Sequence, residues 1–195
     1  INFLIKCCKN TTKTMFNYNK YREIEKIIAD LGVKTEIVAI SKNHPKDYVE
    51  QAISNGVRVF GENRIQEAKL KFQEILVRDT SIKLHLTGPL QTNKVKSALD
   101  LFDIFHTLDR EKLLKELSKH PEKTEKKTFF VQVNTGKELS KSGIYPADTK
   151  NFIELCKSYG INKISGLMCI PPVNEDPKKH FLLIKNLSDD LGLGA

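Results

Sequence analysis

From Tyr21 onward, apolar residues follow two patterns in turn: a helical spacing and a short continuous apolar run. Apolar side chains first recur at helical spacing between Tyr21 and Leu31, and Gly32 follows where a helix commonly ends. The consecutive apolar residues at 37–40 then predict a strand that is buried on both faces. The two patterns repeat, and together they predict an opening helix followed by six strand–helix units. The predicted strands span residues 36–41, 57–60, 82–86, 102–105, 128–133 and 164–168.

Strands that alternate with helices are typical of a parallel sheet in an α/β fold. Two architectures have this order: a doubly wound open sheet and a (βα) barrel. A complete eight-unit barrel has about 250 residues. A chain of 195 residues with six units would therefore lack the last two βα units of a barrel. No GxGxxG motif follows the first strand and no Walker A motif occurs, so neither dinucleotide nor P-loop chemistry is indicated.

Composition places the chain among ordinary globular proteins, with 39% hydrophobic and 29% charged residues. No apolar run approaches the ~18 residues of a membrane-spanning helix, so no membrane partner is expected. The histidines are scattered and no CxxC pair occurs, so no metal site is expected. The cysteines show no disulfide spacing, which favours free thiols and a cytoplasmic location; they are Cys7, Cys8, Cys156 and Cys169.

The formal net charge of +8 raises the alternative of a basic nucleic-acid-binding module. Lysines are interleaved with acidic residues along most of the chain and Trp is absent, and this pattern favours solvated helix faces. We therefore expect no nucleic-acid partner. Residues 1–22 differ, since they hold five basic residues and no acidic one. We predict a loosely ordered basic arm at 1–20, with a mitochondrial targeting segment as the alternative, and one globular domain at 21–195.

Lys42 directly follows the first predicted strand. A lysine at the carboxyl end of a buried strand lies between a dry core and the face where parallel βα folds build their sites. Partial desolvation of a lysine in such a place favours the neutral amine, which can attack a carbonyl carbon. The alternative is an ordinary solvated lysine that ends a strand.

Other distinctive residues belong to the remaining predicted strands. Asn63 follows the second strand, His85 lies in the third, and Met168 ends the sixth. Because the carboxyl ends of parallel strands share one face, residues at those ends are expected to converge there. Each also has a structural interpretation: Asn63 as a helix cap, His85 as a hydrogen-bonded core histidine and Met168 as core packing. No serine–histidine–aspartate arrangement is evident, so no catalytic residue is assigned.

Five ordered motifs give the chain a more specific character. They are VAISK at 38–42, FGENRIQE at 60–67, HLTGPLQTNK at 85–94, QVN at 132–134 followed by SKSG at 140–143, and GLM at 166–168. With these motifs the chain resembles the pyridoxal phosphate homeostasis protein family, the single-domain relatives of the alanine racemase N-terminal domain. The resemblance covers the chain from about Tyr21 to its C-terminus.

The resemblance implies a TIM-barrel-like α/β domain of pyridoxal phosphate (PLP) fold type III. It implies that Lys42 binds pyridoxal 5'-phosphate as an internal aldimine, a Schiff base, and that Asn63, His85 and Met168 contact the cofactor. Family members are described as carriers or regulators of intracellular vitamin B6 without an established turnover reaction. We therefore expect a monomeric carrier that serves PLP-requiring apo-enzymes; a racemase-like, PLP-dependent enzyme acting on small amino acids is the alternative.

The chain departs from the family pattern at two places. Leu84 stands where the family usually has Trp, which alters packing before His85. The family pattern also continues beyond the position of Ala195 with segments that hold the cofactor phosphate and face its pyridine nitrogen. We therefore expect either that the protein continues past Ala195 or that the chain binds the cofactor poorly.

Overall fold

The structure is a computed structural model, and it describes residues 3–6 and 16–193. Most of the predicted basic arm, including Cys7 and Cys8, lies outside the described residues. The strands are β1 (Phe3–Lys6), β2 (Ile37–Ile40), β3 (Val59–Glu62), β4 (Lys83–Leu86), β5 (Ile104–Leu108), β6 (Thr128–Gln132) and β7 (Ile164–Met168). The α-helices are α1 (Tyr18–Asp30), α2 (Lys46–Ser54), α3 (Ile65–Arg78), α4 (Val95–Leu101), α5 (Glu111–Leu117), α6 (Pro121–Thr124), α7 (Thr149–Ser158) and α8 (Pro177–Asp190).

The predicted alternation of strands and helices is confirmed from α1 to α8, but β3 and β5 each start two residues later than predicted. The amide of Val57 donates to the carbonyl of Ala52 at 3.0 Å, so Val57 lies in the turn that follows α2 and β3 begins only at Val59. The amide of Phe102 likewise donates to Ala98 at 2.9 Å and ends α4. Both residues are fully buried, which is why an apolar run placed them in strands. One consequence is that Glu62 is the last residue of β3.

Two further elements were not predicted. β1 pairs in parallel with β2, with Leu4 opposite Val38, whereas the sequence indicated no strand before Tyr21. The segment 121–127 contains the short helix α6, which the apolar pattern does not indicate. Pro121 occupies the first turn of α6, where its missing amide hydrogen is not needed, and the buried hydroxyl of Thr124 donates to the carbonyl of Leu117 at 3.1 Å.

The chain divides into two compact units, one extending to His85 and the other starting at Leu86. In the first unit β2 pairs in parallel with β3, with Ile40 opposite Gly61. Its core includes Val38, Phe60 and Phe72, all nearly inaccessible to solvent, and the two phenylalanine rings lie 5.4 Å apart. Helix α3 reaches this core because Ala68, Phe72 and Ile75 recur at helical spacing on one face.

In the second unit β5 pairs in parallel with β6, and β6 pairs in parallel with β7. The rings of Phe105 and Phe129 stack 5.2 Å apart in its core, and both are nearly inaccessible to solvent. Asp176 accepts a hydrogen bond from the amide of Lys178 and so caps α8, as expected for an acid before a first-turn proline. Within the described residues, no helix is both long enough and apolar enough to cross a membrane.

Candidate functional site

Lys42 lies in a tight turn between β2 and α2. The strand ends at Ile40, and the amide of Ser41 still donates to the carbonyl of Gly61 on β3 at 3.0 Å. Asn43 then adopts a left-handed backbone conformation with φ of 63°, which asparagine tolerates better than most residues. The sharp turn leaves the Lys42 side chain half-buried at the carboxyl end of the strand, as the sequence predicted.

A buried polar cluster supports this turn, and we call Ser41, Glu62, Glu67 and Lys71 the turn cluster. The Ser41 hydroxyl donates to Glu62 Oε1 at 2.7 Å, and Lys71 Nζ donates to the same oxygen at 2.8 Å. Lys71 Nζ also donates to the carbonyl of Ser41 at 2.6 Å and to Glu67 Oε1 at 2.7 Å. Ser41, Glu62 and Lys71 are all buried, and Glu62 is completely so.

The carboxylates of the turn cluster differ in their electrostatics. Burial raises the pKa of the Glu62 carboxyl above its ordinary value, although the hydrogen bonds from Lys71 and Ser41 favour the ionised form. Burial opposes the ionisation of Glu67 as well, but the bonds donated by Lys71 and by the Asn43 amide outweigh it and lower the pKa of Glu67. Burial and the Lys71 charge lower the pKa of His44, which favours a neutral imidazole beside the turn.

The Lys42 amine itself is not part of the turn cluster. Within the part of the chain that the structure describes, its ammonium makes no hydrogen bond and no ion pair. Lys71, by contrast, uses its three donors on three oxygens. The two lysines therefore differ in their contacts: Lys71 uses all three of its donors within the turn cluster, and Lys42 uses none on a described residue.

Asn63 and His85 also belong to the first unit. Asn63 is half-buried between β3 and α3, and Arg64 rather than Asn63 occupies the N-cap position of α3. Because Gly61 pairs with Ile40, Asn63 and Lys42 each follow directly from the carboxyl ends of adjacent strands. His85 is completely buried within β4, and its Nε2 lies 4.0 Å from Glu36, a residue before the amino end of β2.

Met168 ends β7 in the second unit and is 8% exposed, with its carbonyl accepting from the amide of Val133 at 2.8 Å. The loop after β6 is internally ordered, since Nδ2 of the Asn134 side chain donates to the carbonyls of Glu138 at 2.9 Å and Lys141 at 3.2 Å. Contacts of Lys42, Asn63, His85 and Met168 with a cofactor remain predictions.

Sequence reasoning missed Glu62, Glu67 and Lys71. One signal could have found Lys71: it lies between Ala68 and Phe72 on the apolar stripe of α3, where a lysine needs a buried partner. Glu67 stands one helical turn before it, at the spacing of an i,i+4 ion pair. Glu62 carried no such signal, because its burial depends on the observed position of β3.

The fold consists of parallel strands that alternate with helices, and a lysine follows the strand before α2. A comparison with known protein families identifies the class of protein that has these features. Residues 18–188 match the family described as alanine racemase, N-terminal domain. The chain belongs to this family, and the predicted α/β, TIM-barrel-like fold of that domain is confirmed.

Two curated relatives within that class share a name. The pyridoxal phosphate homeostasis protein of Aquifex aeolicus is 32% identical over 160 residues, which cover 80% of this chain and 69% of the relative. The protein of the same name from Pseudomonas aeruginosa is 36% identical over 162 residues, covering 81% of this chain and 70% of the relative. The resemblance inferred from the five motifs is thereby confirmed.

Solved structures agree with this placement. PipY of Synechococcus elongatus with PLP bound superposes with a TM-score of 0.69 at 28% identity, covering 88% of this chain and 82% of PipY. The same protein without PLP gives a TM-score of 0.76 at 27% identity, covering 89% of this chain and 81% of PipY. Alanine racemase of Corynebacterium glutamicum, at 12% identity and a TM-score of 0.64, covers 92% of this chain and 52% of the racemase and shares the fold.

Proposed function

We propose that this chain binds pyridoxal 5'-phosphate through Lys42 and serves intracellular PLP homeostasis as a carrier. The observation that carries the proposal is the half-buried Lys42, which follows the end of β2 and whose amine has no protein partner among the described residues. Support comes from relatives named for PLP homeostasis and from PipY, whose structure contains PLP.

The residues around the turn fit this cofactor. When bound, PLP supplies an aldehyde, and the chemistry that matches an aldehyde is a primary amine held in a partly dry place. Lys42 is such an amine, and the turn cluster keeps its backbone fixed without engaging its side chain. Asn63 follows the carboxyl end of β3, the strand that pairs with β2, and we assign it to the same cofactor site.

The remaining assignments are parts of the same proposal. His85 and Met168 line the cofactor, and the chain works as a cytoplasmic monomer that passes PLP to apo-enzymes. A carrier needs only to hold and release the cofactor, so a reactive lysine without an assigned acid–base pair is sufficient.

The test is direct attachment. Incubation of the full chain with PLP is expected to produce the absorbance band of lysine-bound cofactor, and borohydride reduction is expected to make the attachment permanent on the peptide that contains Lys42. Lys42→Ala removes the only atom that this proposal assigns to the bond, so both the band and the labelled peptide should be lost.

The control is Lys69→Ala, which removes a lysine from the exposed side of α3 and should bind PLP like the unaltered chain. Equal labelling of the Lys42→Ala chain would refute the assignment of Lys42. Amino-acid racemisation above the rate of PLP alone would indicate an enzyme rather than a carrier.

A further inference from the structure

We infer that Lys71, with Glu62 and Glu67, is a positioning residue for Lys42: the turn cluster holds the Lys42 backbone where its amine meets the cofactor. The inference rests on the proposed function and deepens it, because it assigns roles to residues on β3 and α3 that do not touch the cofactor. It also explains why a lysine and two carboxylates share a largely buried site under a turn.

Ser41, the residue before Lys42, is held by hydrogen bonds at three of its groups. The Ser41 amide donates to Gly61, the Ser41 carbonyl accepts from Lys71 Nζ, and the Ser41 hydroxyl donates to Glu62. These bonds leave Ser41 with no unsatisfied backbone group and fix the peptide plane that leads into Lys42. Two of them end on the ion pair between Lys71 and Glu62.

The residue after Lys42 is held by the same cluster. The amide of Asn43 donates to Glu67 Oε1 at 2.5 Å, and that oxygen also accepts from Lys71 Nζ. Asn43 has a left-handed backbone, which costs about 1 kcal/mol for a residue other than glycine. A charge-assisted hydrogen bond is of the size needed to offset that cost. Hydrogen bonds therefore fix the residues on both sides of Lys42, and the Lys71 ammonium contacts the bonded groups on each side.

Energetics favour a positioning role over a purely stabilising one. Removing two charges from water costs several kcal/mol per ion, and a buried ion pair is often no more stabilising than apolar residues of the same volume. Helix α3 already packs through Ala68, Phe72 and Ile75. What apolar residues could not supply is a donor for the Ser41 carbonyl and an acceptor for the Asn43 amide.

The experiment compares three variants of the full chain. Lys71→Met keeps an unbranched side chain as far as Cε and removes the ammonium. Glu67→Gln keeps an acceptor oxygen but removes the charge, and because Glu67 is partly exposed this variant is expected to fold even if Lys71→Met does not. Glu74→Gln is the matched control, since Glu74 pairs with Lys46 between α3 and α2 without contacting the turn.

The first measurement is the rate of cofactor attachment. The Lys42 nitrogen forms a bond to the aldehyde carbon of PLP and the carbonyl oxygen leaves as water. This rate should fall about tenfold or more in Lys71→Met and by a smaller factor in Glu67→Gln, because a displacement of about 1 Å can cost up to 10²-fold. Affinity for pyridoxine 5'-phosphate, which has an alcohol in place of the aldehyde, should stay within about twofold, since its binding makes no bond to Lys42.

The second measurement needs no cofactor. Amide hydrogen exchange at residues 41–44 should be faster in Lys71→Met and Glu67→Gln than in Glu74→Gln, while exchange in the C-terminal half of α3 stays unchanged. Unaltered attachment and exchange in both cluster variants would overturn the inference, as would a parallel loss of exchange protection throughout the first unit. Absence of PLP attachment in the unaltered chain would instead refute the proposed function, so the two failures are distinguishable.

Discussion

His106 shows how strongly one side chain of this molecule is coupled to its surroundings. It lies in β5, is 3% exposed and stacks on Phe130 of β6, with ring centres 4.8 Å apart and planes inclined by 6°. Burial lowers the pKa of its imidazole from 6.5 to about 4. The native protein therefore keeps this histidine neutral, whereas the unfolded chain binds a proton well above that pH.

This difference predicts a loss of stability in acid. A base whose folded pKa is depressed contributes stability that is complete above its unfolded pKa of 6.5 and is lost as the pH falls toward about 4. The loss amounts to about 3 kcal/mol. In His106→Phe, which keeps a ring on Phe130, urea unfolding measured between these pH values should show a correspondingly smaller decrease in the free energy of unfolding. An unchanged slope would contradict the assignment of this proton uptake to His106.

Lys42 and Lys71 differ in their contacts at the candidate site. Both are lysines of the first unit, and composition alone does not distinguish them. The structure leaves Lys42 half-buried and outside the turn cluster, while Lys71 donates to Ser41, Glu62 and Glu67. Among the described residues the Lys42 ammonium has no protein partner, and the proposed attachment of the cofactor to Lys42 rests on this difference.

At the scale of elements, the return of the loop after β6 depends on a glycine. The chain leaves β6 at Gln132 and comes back beside it, since the amide of Ile144 donates to the carbonyl of Gln132 at 2.8 Å. Gly143 makes this approach with φ of 122°, and a Cβ on it would lie 2.8 Å from the amide nitrogen of Asn134. Backbone atoms held by hydrogen bonds beside the end of β6 cannot move aside cheaply, so a side chain does not fit there.

We predict that Gly143→Ala lowers the free energy of unfolding by about 2–4 kcal/mol, from overlap and backbone strain together. Gly160→Ala is the matched control, because Gly160 also has a positive φ, of 77°, but nothing lies within 4 Å of a Cβ there. That control should lose only about 1 kcal/mol. Chemical denaturation of the three proteins measures the difference, and equal losses would show that the close approach is unimportant.

The boundaries of two strands depend on hydrogen bonds that the apolar pattern does not show. The sequence predicted strands at 57–60 and 102–105, and the structure has Val59–Glu62 and Ile104–Leu108. Val57 and Phe102 are apolar and buried in both accounts. Hydrogen bonding, not hydropathy, assigns them to helix ends, and an apolar pattern cannot distinguish a buried helix end from the start of a strand.

At the scale of the whole molecule, the two compact units each have an aromatic core. Phe72 is completely buried in the first unit and Phe129 in the second. Loss of a buried phenylalanine side chain removes its transfer free energy and leaves a cavity that neighbours fill only partly. The two units should therefore respond alike to the same substitution.

Phe72→Ala and Phe129→Ala are each predicted to lower the free energy of unfolding by about 3–5 kcal/mol. Leu70→Ala and Leu139→Ala are the controls for the two units, since these side chains are 83% and 96% exposed and should change stability by less than about 0.5 kcal/mol. Urea unfolding followed by circular dichroism gives the four values. A loss below about 1 kcal/mol at either phenylalanine would contradict its place in a core.

The charge of the molecule is likewise organised by its elements. The lysines that produce the net charge of +8 are often paired with acids one turn away, as in Lys20 with Glu23, Lys119 with Glu116 and Lys185 with Asp189. Such exposed pairs contribute little stability. Their pattern agrees with the interpretation of the charged positions as solvated helix faces.

The sequence by itself determined the order of strands and helices from α1 onward, the family, and the place of Lys42 at the end of β2. These features depend on local periodicity and on motifs that are contiguous in the chain. The bounds of β3 and β5, the strand β1 and the helix α6 depended on pairing and hydrogen bonds that local patterns do not encode.

Only the tertiary structure decided what surrounds Lys42. Ser41 and Glu62 are 21 residues apart and meet because β2 and β3 pair in one register; Lys71 reaches both because α3 packs its buried face beneath them. A side chain's burial and partners are set by elements distant in sequence. The position of Lys71 on the apolar stripe of α3 is therefore explained only by the ends of β2 and β3, which supply its partners.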